Sequence, residues 1–203
     1  MASNPLLVGI TGGIGAGKSI ICKIFQCLGV PVYQADDRAR WLMTHDTSLI
    51  SEIKSHFGPS AYFEDGRLNS TFLASEVFHD KKKLDLLNNL VHPNVGKDFE
   101  YWVQENGQLP YLIKEAALLF ESGSYKELDK VINVDAPADI RKKRVAARDK
   151  HRIEADIQAI MDRQLGDEQR KTMADFVITN NDRDLVIPQV LALHRQFISG
   201  KGN

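Results

Sequence analysis

Residues 12–19 read Gly-Gly-Ile-Gly-Ala-Gly-Lys-Ser, matching G-x-x-x-x-G-K-[ST], and they follow an apolar run at 6–10. No other feature limits the fold as strongly. A buried strand, a glycine-rich turn and a helix must succeed one another within some twenty residues, and Ile21, Ile24, Phe25 and Leu28 supply that helix's apolar stripe. The glycines let backbone N–H groups approach an anion that Cβ atoms would hold off. The helix adds the positive end of its dipole at the same point. Lys18 brings a charge for outer phosphates and Ser19 a hydroxyl suited to Mg²⁺. The segment reads as a site for the phosphates of a nucleotide.

Further apolar runs at 30–34, 110–113, 130–134 and 176–179 alternate with helical patterns. With 6–10 they predict an α/β fold, a five-stranded parallel sheet covered on both faces. Gly29 suits the end of the first helix, and Pro188 sits near the start of the last. The tail from Gly200 to Asn203 is expected to fray. About seventy residues separate Asp36 from Pro110, far more than one crossover helix needs. Helical pattern fills this insertion, broken by Gly58-Pro59 and the turn Glu64-Asp65-Gly66, with Asn69 and Asp80 as expected N-caps. It is read as a helical lobe over the carboxyl ends of the strands, where such sheets bind ligands. Its aromatics, among them Phe57, Tyr62, Phe63, Phe72, Phe78 and Trp102, read as core first and ligand contacts second.

Lys and Arg number 26 against 27 Asp and Glu, so no general basic excess points to a nucleic-acid partner. No apolar stretch approaches the ~20 residues that span a bilayer, and the first residues have no signal-peptide character. A cytoplasmic protein, monomeric or weakly self-associating, is expected. Cys22 and Cys27 read as small buried residues rather than a disulfide or metal pair.

Asp36 and Asp37 follow the second strand run. A carboxylate there can orient a hydroxyl and take its proton, while the structural alternative is a cap on a helix starting at Arg38. Residues 141–152 contain seven Lys or Arg, with Arg141, Arg144, Arg148 and Arg152 on one face of an expected helix. Guanidinium groups suit the spread charge of a phosphoryl group in transfer, so this stretch reads as a mobile lid, Arg144 and Arg148 foremost. Glu115 is a possible partner of Mg²⁺ or the loop. His92 precedes Pro93, which is expected to start or kink a helix, and it is either a substrate contact or a structural histidine. Two other readings stay open: a kinase for a smaller acceptor, and a nucleotide-gated switch. The second lacks a guanine-reading Asn-Lys-x-Asp segment.

Thr11–Ser19, Ala35-Asp36, Leu90-Val-His92-Pro93, Leu118-Leu-Phe-Glu121, Arg144 with Arg148-Asp149, and Ala174–Asn180 occur in the order found in one family. Over nearly its whole length the chain resembles dephospho-CoA kinases. The resemblance implies a three-layer P-loop NTPase fold with an inserted substrate lobe and a lid. The implied core is 1–36, 110–140 and 166–203, the CoA-binding lobe 37–109, and the lid 141–165, within one kinase domain over 1–203. It implies ATP and dephospho-CoA as substrates, with Mg²⁺. By the same resemblance, Gly13, Ile14, Gly15, Ala16, Gly17, Lys18, Ser19 and Ile20 hold the ATP phosphates, and Ser19 is the Mg²⁺ ligand. Arg144 and Arg148 reach over the phosphates, and Asn180 lies on the adenine side. Thr11 and Asp36 face the acceptor hydroxyl, with Asp36 as base and His92 in the CoA lobe. Three positions depart from the family pattern: Gln34 in place of Asp, Ile20 in place of Thr, and Ala117 in place of Pro.

Overall fold

The computed structural model describes residues 4–78 and 80–200. Parallel strands β1 (Leu6–Thr11), β2 (Val32–Gln34), β3 (Tyr111–Glu115), β4 (Lys130–Asp135) and β5 (Phe176–Thr179) form one sheet in the order β2-β3-β1-β4-β5. Each lies within two residues of an expected run. The helices among the described residues are α1 (Lys18–Cys27), α2 (Ala35–His45), α3 (Thr47–Phe57), α4 (Ser70–Phe78), α5 (Lys81–Glu105), α6 (Ala138–Arg148), α7 (Glu154–Arg163), α8 (Asp167–Met173) and α9 (Val186–Ile198). The chain divides into two compact units, one running to Gln34 and resuming at Asn106, the other spanning Ala35–Glu105.

In the first unit, β1 is central because its residues are apolar toward both faces. Val8 and Ile10 pack with Ile21 and Phe25 of α1, Ile113 of β3, Ile132 of β4, Ile178 of β5 and Val190 and Phe197 of α9. Tyr111 closes this layer edge-on, its ring 6.3 Å from Phe25 and 5.2 Å from Phe197. At about 2 kcal/mol for each fully buried large apolar side chain, this layer outweighs any helix propensity in holding α1 and α9 to the sheet. β1 pairs with β3 from Leu6↔Tyr111 and with β4 from Val8↔Lys130. The chain leaves β1 toward β2 on one side, and β4 and β5 fill the other. The carboxyl end of β1 is therefore the switch point at which such sheets bind ligands.

Burial separates the two cysteines. Cys22 faces the core, where burial, reinforced by the Glu115 carboxylate and partly offset by Lys18, pushes its thiol up to about 12. Cys27 is exposed, against the expectation of two buried thiols. Since thiolate is the reactive form, Cys22 is ionised to only ~10⁻⁴ at pH 8. Titration of the folded protein with an aromatic disulfide reagent at that pH is expected to label one thiol quickly and the second only on unfolding. Two fast equivalents would contradict the placement of Cys22.

The second unit is helical, with Leu42, Leu49, Ile53, Phe57, Tyr62, Leu73, Val91, Val95 and Phe99 buried. Its turns follow local chemistry. Asp46 caps α3 by accepting from Ser48 N–H at 2.9 Å, Asn69 accepts from Phe72 N–H at 3.1 Å at the head of α4, and Asp80 accepts from Lys83 N–H at 3.1 Å at the head of α5. Pro93 does not restart a helix: α5 runs through it. The burial of Val91, Val95 and Phe99 on one side of α5 outweighs the backbone bond that proline removes. Phe63 and Phe78 are exposed rather than core, and Arg67 covers the Phe63 ring at 5.5 Å. The expectation of a frayed tail falls largely on residues 201–203, outside the described residues. No described helix is long and apolar enough to cross a membrane.

Candidate active site

From Thr11 the chain enters the glycine-rich loop and turns into α1 at Gly17, whose φ of 94° and ψ of 25° lie in the left-handed region that favours glycine. No side chain caps α1, so the N–H groups of its first turn are not spent on a cap. Lys18 folds back over the loop, its Nζ donating to Gly12 O at 3.0 Å. Ser19 and Ile20 are exposed at the start of the helix.

Two side chains from distant segments close on the loop. Asn180, just past β5, donates from Nδ2 to Ala16 O at 2.8 Å. Arg144, midway along α6, directs Nη1 to the carbonyls of Gly15 and Ala16 at 3.4 Å each and Nη2 to Asn180 O at 3.0 Å, with Asp182 as its ion-pair partner. The loop, Arg144 and Asn180 are thus brought together, Asn180 bonding to the loop itself.

The rest of the expected arginine face divides into different roles. Helix α6 ends at Arg148, so Arg152 lies beyond it, and both side chains pair with Asp149 at 2.9 and 3.2 Å. That double pairing holds the Asp149 carboxyl below its ordinary range, the bond from Arg148 contributing most. Arg148 is 64% exposed and makes no contact with the loop among the contacts described. Arg141, by contrast, is buried. It donates from Nε to Ala136 O at 3.0 Å and from Nη2 to both oxygens of Asp167, at 2.9 and 2.7 Å. Arg170 of α8 shares the same carboxylate, and burial lowers its pKa. Both guanidinium groups lie against the loop: a Cβ on Gly13 would stand 2.1 Å from Arg141 Nη1 and 3.0 Å from Arg170 Nη2. The Arg141–Asp167–Arg170 cluster had no signal in the sequence. Its carboxylate comes from 26 residues downstream of Arg141.

A second unexpected partner is Gln164, which accepts from Ile14 N–H at 2.8 Å. Thr11, expected beside the acceptor hydroxyl, is 0% exposed, and its Oγ1 has no hydrogen-bond partner among the described residues. The structure therefore does not present the Thr11 hydroxyl at a surface. Glu115 ends β3 in register with Ile10 and Gln34, at the carboxyl edge of the sheet, and it acts on the same Cys22 thiol as Lys18. Asp36 and His92 belong to the second unit. Asp36 lies in the first turn of α2, which starts at Ala35 rather than Arg38, so neither Asp36 nor Asp37 stands before the helix as a cap. Asp37 pairs with Arg40 at 3.3 Å. His92 lies within α5 and is exposed.

Among the described residues, no group of three or more His, Cys, Asp or Glu is placed to hold a metal ion. A hydroxyl at the head of α1 suits the way Mg²⁺ binds, through its nucleotide and one or two protein oxygens rather than a protein cage.

Known proteins match this arrangement. The dephospho-CoA kinase family model covers residues 6–185. The dephospho-CoA kinase of Porphyromonas gingivalis is 37% identical over 188 residues, covering 93% of this chain and 92% of its own. That of Mannheimia succiniciproducens is 35% identical over 198 residues, covering 95% and 91%. In solved structures, a Thermus thermophilus protein superposes with a TM-score of 0.81 at 26% identity over 99% of this chain and all of its own. The dephospho-CoA kinase of Campylobacter jejuni, 24% identical over 96% of this chain and 98% of its own, shares the fold at 0.71. With a parallel sheet ordered around a P-loop and a family match over most of its length, the chain belongs to the dephospho-CoA kinase family.

Proposed function

We propose that this protein transfers the γ-phosphoryl group of ATP to the ribose 3′-hydroxyl of dephospho-CoA, giving CoA and ADP, the last step of coenzyme A synthesis. The observation that carries this reading is the match over residues 6–185 together with Arg144 and Asn180 seated on the loop. Transfer is in-line, with no covalent enzyme intermediate. Phosphoryl transfer asks for positioning and charge neutralisation above all.

The loop from Gly13 to Ile20 holds the ATP phosphates, with the Ile14 N–H engaged by Gln164 rather than by phosphate, and Lys18 and Arg144 spread the developing charge. Ser19 would supply a hydroxyl to the Mg²⁺ carried with ATP, which would help to neutralise the phosphate charge. Asp36, the second residue after β2, orients the acceptor hydroxyl and accepts its proton. His92 serves the CoA-binding lobe, and Asn180 borders the adenine. Residues 141–165 form the lid, with the core and lobe divided as the family pattern implies. Arg148, paired only with its neighbour Asp149 among the contacts described, is available to swing onto the phosphates. Thr11, being enclosed, shapes the end of β1, and it reaches the acceptor only if that end rearranges. The protein works in the cytoplasm as a monomer or weak homo-oligomer.

The direct test is ³¹P NMR of the product formed from ATP, Mg²⁺ and dephospho-CoA. A new monoester resonance coupled to the ribose 3′-proton supports the reading. Phosphate on any other position, or none, contradicts it.

A further inference from the structure

No motif pointed to Gln164, yet its side chain leaves its own helix to meet the phosphate loop. It follows α7 with φ of −88° and ψ of 154°, extended backbone that ends the helix. Its Oε1 accepts from Ile14 N–H at 2.8 Å, a contact between residues 150 apart in sequence, and its Nε2 donates to Ala117 O at 3.4 Å. The backbone beside it is fixed from two sides. Leu165 N–H donates to Glu121 Oε1 at 2.8 Å, and Leu165 O accepts from the Arg170 guanidinium. Arg170 in turn is tied to Asp167 and lies against Gly13. Gln164 is thus held by its neighbours at the place where it holds Ile14.

We propose that Gln164 is a positioning residue for the nucleotide. It braces the crest of the phosphate loop against the end of α7 and the segment after β3, and so keeps the loop in its ATP-binding form. The benefit is conformational: a glycine-rich loop that must hold one shape loses much backbone entropy when it binds, unless that shape is already imposed. A carboxamide suits the task better than a carboxylate, because it offers an acceptor without placing a negative charge beside a polyphosphate. This inference rests on ATP being the donor.

Two variants test it. Gln164→Met keeps the length and flexibility of the side chain but removes the acceptor, whereas Gln164→Glu keeps the acceptor. In Gln164→Met the Ile14 amide, followed by hydrogen exchange, is expected to exchange at least ~10-fold faster, and the Kd for a non-hydrolysable ATP analogue with Mg²⁺ to rise about tenfold, as for one lost hydrogen bond that leaves its donor unpaired. KM for dephospho-CoA should stay within about twofold and Tm within ~3 °C, since a brace on the donor loop touches neither the acceptor nor the core. Gln164→Glu should retain protection of the Ile14 amide. Faster exchange with analogue affinity unchanged would reduce Gln164 to a structural strut and overturn the proposal. So would an Ile14 amide indifferent to the substitution, or a fall in Tm beyond ~6 °C. If the unsubstituted protein fails to bind the analogue, the assignment of ATP as donor falls, whatever the variants do.

Discussion

Asp36→Asn is expected to lower kcat by ~10²-fold or more while leaving ATP affinity within about twofold, the pattern for a base that acts only in the transition state. Asn keeps the size and much of the hydrogen bonding of Asp, so orientation of the hydroxyl largely survives and proton acceptance does not. The alternative role is electrostatic. Asp36 and Asp37 both sit in the first turn of α2, where a carboxylate favours the helix dipole by about 0.3–1 kcal/mol. On that account Asp36→Asn would lose a little stability and keep nearly all its turnover. Steady-state kinetics with ATP varied, beside a thermal melt, separates the two. Turnover within about threefold of the unsubstituted protein would remove Asp36 from the chemistry.

Asp167→Ala is expected to cost about 3 kcal/mol of stability. Its carboxylate receives Arg141 at 2.7 and 2.9 Å and also pairs with Arg170, and these two arginine residues are each 4% exposed. Removing one partner of a buried pair typically costs 3–5 kcal/mol, because an uncompensated charge stays behind. The Asp167 side chain is 35% exposed, so water can partly replace it and the lower end applies. For a chain of 203 residues that corresponds to a fall in Tm of roughly 6–12 °C. Asp167→Asn, which still accepts a hydrogen bond, should fall between. A loss under about 1 kcal/mol in Asp167→Ala would mean that water and other carboxylates, such as Glu121 and Asp135 near Arg170, compensate the two arginines without it. Because both guanidinium groups lie against Gly13, weaker ATP binding should accompany the lower Tm.

What the sequence revealed and what it hid follow from how local each determinant is. The phosphate loop was legible because consecutive residues carry its whole requirement: apolar strand, glycines, Lys18, Ser19. The strands were legible as apolar runs, but their lateral order was not, since a run buried on both faces names no neighbour. Arg141 and Arg144 look alike in sequence, on adjacent turns of one helix. Asp167 draws one into the interior while Asn180 and the loop carbonyls hold the other at the site. Gln164 was invisible for the same reason, its partner being 150 residues away. Pro93 starts no helix because the local rule against proline inside one gave way to the packing of Val91, Val95 and Phe99 before and after it in α5. Asn69, Asp80 and Gly29 could be read in advance because capping is settled within one turn.

The reaction itself can be examined most directly by ADP release from ATP and Mg²⁺ in the presence of dephospho-CoA, AMP, gluconate or shikimate, each supplied separately. Dephospho-CoA alone should stimulate release far above the acceptor-free rate, with one CoA formed per ADP. Equal or greater stimulation by another acceptor, or none by dephospho-CoA, would contradict the proposed activity.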